Sequence, residues 1–273
     1  MKYTVQSSKY ALKNFIYLIP FAILPAWFFS LSTDQEAIKC ALETIFNGNI
    51  NEFHFQHIFR AISILNFASW YSIVFGILAI LMIIVCGALL MAFLDKHMRI
   101  GKRTLTGIVS KLNDNLVSTA GFVFLLLAIY ELWTLLVSAL VYLFAIIPVV
   151  WLAYILAIAV YLGMHVALIF VIGKIYLWLP CMQITGFKAF EALSYSQYLI
   201  SSMRWKLLVS QLGILLFAQM LICLCALSPY TWLFTLLTTV FYLLIIIIFC
   251  VRMMVVYFDK DNIERADLKK YYH

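Results

Sequence analysis

Six long apolar stretches constrain this chain more than any other feature of its sequence. A helix that crosses the hydrocarbon layer of a membrane needs roughly 20 mostly apolar residues. Such a helix satisfies its backbone polar groups internally, which lipid cannot do for it. The sequence therefore predicts an all-α polytopic membrane protein with six transmembrane helices in three hairpins. The predicted spans are Phe15–Leu31, Trp70–Leu94, Ser118–Ala145, Pro148–Gly173, Leu207–Leu227 and Tyr230–Tyr257.

Composition excludes a water-soluble domain. Of the 273 residues, 66% are hydrophobic and 11% are charged, whereas soluble domains average roughly 45–50% apolar and about 25% charged residues. The net charge of +7 could indicate a nucleic-acid partner. However, no run of Lys and Arg with interleaved aromatic residues forms a nucleic-acid stripe. The predicted partner is therefore the lipid bilayer, with a protein partner or a second copy left open, and not a nucleic acid.

The basic residues predict an orientation. Lys and Arg accumulate in cytoplasmic loops of membrane proteins. Here 17 of the 19 fall in four segments that six alternating spans place on one side, and two fall in the 32–69 loop on the other. We therefore expect both termini in the cytoplasm of a multi-pass protein of the cell membrane. The four basic segments are residues 1–14, 95–117, 174–206 and the C-terminal end.

The organisation is that of one integral membrane domain over residues 1–273. It has an outer loop at 32–69, cytoplasmic loops at 95–117 and 174–206, and a cytoplasmic tail at 258–273. The first span, with basic residues before it, resembles a signal peptide. Because its apolar part is long for a signal core, an uncleaved helix is favoured.

Short amphipathic helices are predicted beside the spans. Apolar residues recur at helical spacing in Gly101–Leu116, which favours a helix lying in the inner headgroup region. The 186–204 stretch is also predicted to be helical, and the tail is predicted to extend the last span, with an Asp261–Arg265 pair. In the outer loop, Thr33 and Glu36 have capping-box spacing, and two short helices are expected to cap the bundle as a packed loop or as a lid.

Ionisable residues inside a membrane are costly and often functional. Glu131 lies near the centre of the third span and His165 lies in the fourth. Gln219, in the fifth span, falls near the depth of Glu131. These three residues are the candidate intramembrane polar site, which would bind a proton, a cation or a substrate headgroup. The alternative is hydrogen bonding that holds the helices together. Arg252, nearer the inner face, is expected to extend toward the interface.

The remaining chemistry-bearing residues indicate neither a metal nor a cofactor. His54 and His57 are three apart, but two histidines do not make a zinc site. Four of the six cysteines lie in apolar spans, where cysteine behaves as a small hydrophobe. The sequence contains no G-x-S-x-G, no H-E-x-x-H and no phosphate-binding glycine loop. No catalytic, cofactor-binding or metal residue is therefore assigned, and an enzyme is disfavoured.

The segment KAFEALSYSQYLISSMRWKLL precedes a span, and the spans form hairpins. In both respects the chain resembles a broad group of bacterial six-helix membrane proteins, which includes membrane domains attached to some glycerophosphodiester phosphodiesterases. The resemblance implies a helical membrane bundle. The sequence holds no soluble phosphodiesterase domain, so that activity is not implied and no site residue is transferred.

Three functions are compatible with these observations. The first is a non-enzymatic, transporter-like or accessory membrane component with a polar site around Glu131. The second is a structural or partner-binding assembly protein, and the third is a lipid-modifying enzyme. The first is favoured because a carboxylate lies at mid-span in an otherwise apolar bundle.

Overall fold

A computed structural model describes residues 2–48, 50–201 and 204–268. Over these residues the chain is helical, without strands. Its helices are α1 (Lys2–Lys13), α2 (Phe15–Ser32), α3 (Gln35–Phe46), α4 (Phe55–Ile62), α5 (Trp70–Ile100), α6 (Ser110–Ala145), α7 (Val150–Ile175), α8 (Trp178–Thr185), α9 (Ala189–Ser201), α10 (Arg204–Ala226) and α11 (Thr231–Lys260).

All six predicted spans are confirmed as helices. Within the described ranges, six helical spans are long and apolar enough to cross a membrane. They are α2, α5, α6, α10, α11 and the continuous stretch formed by α7 and α8. They form a closed ring in chain order, because each packs on the next and α11 packs back on α2. The most loosely held member is α10. In the most apolar 18-residue stretch of α10, 11% is buried inside the protein, against 22–44% in the corresponding stretches of the other five spans.

One end of the ring is closed by the 32–69 loop. The two predicted short helices are present as α3 and α4, and they rest on the tight turns of the bundle. The Gln35 amide donates to the carbonyl of Ser228 at 2.9 Å, and the Asn51 amide donates to that of Ile147 at 3.3 Å. We call this the loop end. The predicted capping box is wrong, since the Asp34 carboxylate is the cap and accepts from the Ala37 amide at 3.0 Å.

The connector from α4 to α5, residues 63–69, is not helical and is inserted into the bundle. Its first residues contact Glu131, which lies about 21 Å along α6 from the Ala145 end at 1.5 Å per residue. Gly76, in the second turn of α5, lies beside the Leu65 side chain. Non-helical backbone is tolerated at such depth only where protein or water surrounds it. The inserted connector therefore depends on polar partners from the helices.

The opposite end, which we call the basic end, holds α1, α8, α9 and the last described residues. The expected surface helix over Gly101–Leu116 is wrong in its first half. Gly101 (φ 78°) ends α5 in the left-handed conformation, and Gly107 (φ 73°) makes a second such turn. Residues 110–116 are instead the first turns of α6. The predicted helix within 186–204 is confirmed as α9.

The tail prediction is also wrong. Helix α11 ends at Lys260, and Asn262 takes a left-handed conformation at φ 54°. The chain then turns back along the bundle, so that Arg265 pairs with Asp267 and not with Asp261. Asp261 instead accepts from the Tyr257 hydroxyl at 2.8 Å. The part of the predicted tail beyond residue 268 lies outside the described residues.

Candidate functional site

Glu131 holds the inserted connector. Its Oε2 accepts from the Ser63 hydroxyl at 2.7 Å, and its Oε1 accepts from the backbone amides of Ile64 and Leu65 at 2.9 and 3.0 Å. These amides follow the end of α4 and have no helical partner. The neighbouring Tyr130 hydroxyl donates to the carbonyl of Ile62 at 2.9 Å. One turn of α6 therefore supplies the polar partners that the connector needs at this depth.

His165 and Gln219 meet, as their predicted depths allow. His165 is buried, and its Nε2 lies 2.8 Å from Oε1 of Gln219 across the α7–α10 seam. The Tyr161 hydroxyl donates to the same amide oxygen at 3.1 Å, and Nδ1 of His165 lies 2.8 Å from the Tyr161 carbonyl. The imidazole therefore has a partner on each nitrogen, and this group joins two helices.

Within the described residues, Glu131 bonds to the connector rather than to His165 or Gln219. Trp133 lies between the two groups. Its indole nitrogen donates to the Met164 carbonyl at 2.7 Å, and its ring packs edge-on against His165 at 4.6 Å between centroids. The three predicted residues thus belong to one layer without sharing one site. Their contacts are those of helix-to-helix hydrogen bonding, and ligand binding in this layer stays a prediction.

A cavity lies at the basic end, where the sequence predicted no site. It has a volume of about 450 Å³ and lies between α1, the end of α5, the 101–103 turn and the last described residues. We call it the basic chamber. Its lining residues are Gln6, Lys9, Tyr10, Lys13, Asn14, His97, Gly101, Lys102, Arg103, Arg265, Asp267 and Leu268.

The lining of the basic chamber is strongly cationic. Five of its side chains are Lys or Arg, and Asp267 is its one carboxylate within the described ranges. Arg265 engages that carboxylate through two hydrogen bonds of 3.1 and 2.7 Å, with both side chains at most 10% exposed. The carboxylate is therefore neutralised inside the wall. Lys9, Lys102 and Arg103 are exposed at the rim and give the cavity a positive potential.

Neutral groups fix the floor of the basic chamber. The hydroxyl of Tyr10, on α1, is hydrogen-bonded to Nδ1 of His97 on α5. Burial, followed by the nearby Asp267 charge, raises the pKa of Tyr10, so the phenol stays neutral. Asn14 is buried and donates to the Tyr10 carbonyl at 2.9 Å, which leaves its Oδ1 without a partner in the described structure.

The chamber could not be predicted from the sequence, because its wall comes from three distant segments, residues 6–14, 97–103 and 265–268. Every basic residue in it had a sufficient explanation as an orientation signal. The available clue was the clustering of Lys102 and Arg103 just after a span, next to glycine. Only the folding back of the tail shows that these charges enclose a volume.

Comparisons of the chain with models of protein families, with curated proteins and with solved structures find no match. The fold and the cavity together define the chain as an all-α polytopic membrane protein with a cationic chamber at one end of its bundle.

Proposed function

We propose that this protein is a non-enzymatic, accessory or transporter-like component of the cell membrane that binds a phosphate-bearing anion in the basic chamber. The observation that carries the proposal is an open cavity of about 450 Å³ lined by five cationic side chains. Ligand pockets for small molecules span roughly 300–1,000 Å³. Arg and Lys are the residues that recognise phosphate, Arg by two parallel hydrogen bonds.

The lining favours binding over catalysis. Its carboxylate is neutralised by Arg265, and the described part of the chain contributes neither serine nor cysteine to its lining. Tyr10 and His97 are engaged with each other. These features support a chamber that holds a ligand by charge and leaves the ligand unchanged.

We also propose that the basic end faces the cytoplasm. The two Lys and Arg residues outside the basic segments are Lys39 and Arg60, at the loop end. An excess of Lys and Arg marks the cytoplasmic side of short membrane loops. In this orientation the chamber takes its ligand from the cytoplasm, next to the anionic surface of the inner leaflet.

Titration calorimetry on the purified full chain in neutral detergent tests the proposal, with inorganic phosphate and glycerol phosphate as probes and glycerol as the uncharged control. The double variant Lys102→Gln, Arg103→Gln is expected to weaken binding about tenfold or more, since each tenfold corresponds to about 1.4 kcal/mol. The affinity of the unchanged chain should also fall with added salt.

The matched control is Lys188→Gln, which removes one exposed cation at the same end but outside the chamber. It should bind as the unchanged chain does. The proposal is contradicted if neither phosphate probe binds, or if the double variant binds both as tightly as the control.

A further inference from the structure

Arg252 is buried inside the bundle, contrary to the expectation that it extends to the interface. It lies on α11 with 2% of its surface exposed. Its Nη2 donates to the Ser210 hydroxyl on α10. The side chain points across a helix seam because Ser210 offers it an acceptor there. A guanidinium in such a place keeps its charge, since arginine is not deprotonated in proteins.

The donors around Arg252 lack acceptors. Within the described residues, its Nε and Nη1 have no hydrogen-bond partner, and Nε2 of Gln211 and the hydroxyl of Tyr176 meet no partner except, at longer range, each other. No ion pair in the described structure includes Arg252. An isolated buried charge costs several kcal/mol unless an opposite charge or strong acceptors compensate it. The described residues give Arg252 one hydroxyl acceptor and no carboxylate.

Arg252, Ser210, Gln211 and Tyr176 form one cluster, which we call the Arg252 cluster. Tyr176 directly follows α7 and packs its ring edge-on against Phe249, one turn before Arg252, at 5.6 Å between centroids. Arg252 lies close enough to act on the Tyr176 hydroxyl through its charge, and Gln211 lies close enough to interact with that hydroxyl as a hydrogen-bond donor. Three helices, α7, α10 and α11, thus bring donors to one place.

The donor atoms of the cluster are buried next to α10. Ser210 and Gln211 are partly exposed on α10, the most loosely packed span. Lys206, which is exposed, lies about 6 Å from Ser210 along α10 toward the basic end. Lysines and tryptophans at this position mark the membrane interface, and Trp205 is 73% exposed. A lipid phosphate at the level of Trp205 and Lys206 would lie about one helical turn from the cluster.

We propose that the Arg252 cluster binds a phosphate group within the membrane, supplied by a phospholipid headgroup of the adjacent leaflet or by free phosphate. Its oxygens accept from Nε and Nη1 of Arg252, from Gln211 and from Tyr176. This site is separate from the basic chamber, whose wall includes α1 and the end of α5 and contains none of these residues.

The experiment measures thermal unfolding of the delipidated full chain after addition of phosphatidylglycerol, diacylglycerol or inorganic phosphate, together with the lipid retained in native mass spectra. Phosphatidylglycerol should raise the Tm, and diacylglycerol, which lacks phosphate, should not. In Arg252→Gln, phospholipid occupancy should fall about tenfold, the loss expected when one charge-assisted interaction is removed. Lys188→Gln, which removes an exposed cation at the same end but away from the cluster, is the control and should retain it.

If Arg252→Gln does not fold, Tyr176→Phe tests the proposal instead. It removes a buried hydroxyl that makes no hydrogen bond of good geometry in the described structure. The Tm of the delipidated protein should therefore stay equal or rise, while the increase caused by phosphatidylglycerol should shrink. If Tyr176 has only a structural role, Tyr176→Phe should change the Tm equally with and without phosphatidylglycerol. That result overturns the proposal.

The probes distinguish the source of the phosphate. A Tm increase with phosphatidylglycerol alone assigns the site to lipid, and an equal increase with inorganic phosphate assigns it to the free anion. Either increase must disappear in the Arg252 variant and persist in the Lys102→Gln, Arg103→Gln variant. The proposal is wrong if diacylglycerol acts like the phospholipid, or if no probe raises the Tm.

Discussion

At the scale of the residue, Glu131 shows how a membrane carboxylate can be structural. The sequence identified it as the mid-span acid, and that placement follows from counting residues along an apolar stretch. Its partners could not be predicted, because two of the three are backbone amides of Ile64 and Leu65. Backbone amides have no sequence signature. A side-chain partner such as His165 was the natural expectation from sequence alone.

Replacing Glu131 tests this role. Glu131→Ala removes the acceptor for three donors at once, and a buried donor left unsatisfied costs about 1–3 kcal/mol. We expect a clear loss of stability, measured as a lower midpoint of unfolding in detergent. Glu131→Gln should be milder, since its amide oxygen can still accept from the two backbone amides.

Glu43→Ala is the control for this series, because Glu43 is an exposed glutamate on α3. Its unfolding midpoint should match that of the unchanged chain. If Glu131→Ala is as stable as Glu43→Ala, the connector does not depend on Glu131.

At the scale of the element, the spans were predictable and the short surface pieces only partly so. Long apolar stretches fix a helix because unsatisfied backbone is so costly in lipid. Residues 101–109 had helical spacing of apolar residues. The positive φ of Gly101 and Gly107 interrupts that helix, and glycine is the residue that allows this conformation without strain. Periodicity alone does not show which glycines are used in this way.

The cap on the loop end gives a prediction at this scale. The Asp34 carboxylate caps α3 at Ala37 and also binds Arg60, at 2.6 Å between Nη2 and Oδ2. Asp34→Ala should therefore loosen α3 and α4 together, since losing a cap alone costs about 0.5–2 kcal/mol. Hydrogen exchange in residues 35–62 should become faster while the six spans keep their protection.

Glu36→Ala is the informative comparison, because capping-box spacing had assigned that role to Thr33 and Glu36. It should leave exchange in residues 35–62 nearly unchanged. If Asp34→Ala and Glu36→Ala change hydrogen exchange equally, the Asp34 carboxylate is not the group that stabilises the start of α3.

At the scale of the whole molecule, the closed ring determines which polar groups meet. Each span packs against its neighbours in the chain, and α11 closes on α2. The sequence predicted hairpins but carried no signal for the closure between the first and last spans. The basic chamber was beyond sequence reasoning for the same reason. Its walls meet only because α1 packs beside α11 and the tail folds back over the end of α5.

The most direct measurement combines sidedness and ligand protection at one position. Gln6 lines the basic chamber and is uncharged. In a Cys40→Ser background, Gln6→Cys places an accessible thiol there for a membrane-impermeant maleimide. Of the other five cysteines, those at positions 86, 223, 225 and 250 lie in the spanning helices. Cys181, in α8 at the basic end, is completely buried.

Labelling is followed in inside-out and right-side-out vesicles, with and without glycerol phosphate. The account predicts labelling only in inside-out vesicles, slowed by glycerol phosphate but not by glycerol. The protection should disappear when Lys102→Gln and Arg103→Gln are added. Labelling from the outside, or labelling at the same rate with and without glycerol phosphate, would contradict a phosphate-binding chamber that opens to the cytoplasm.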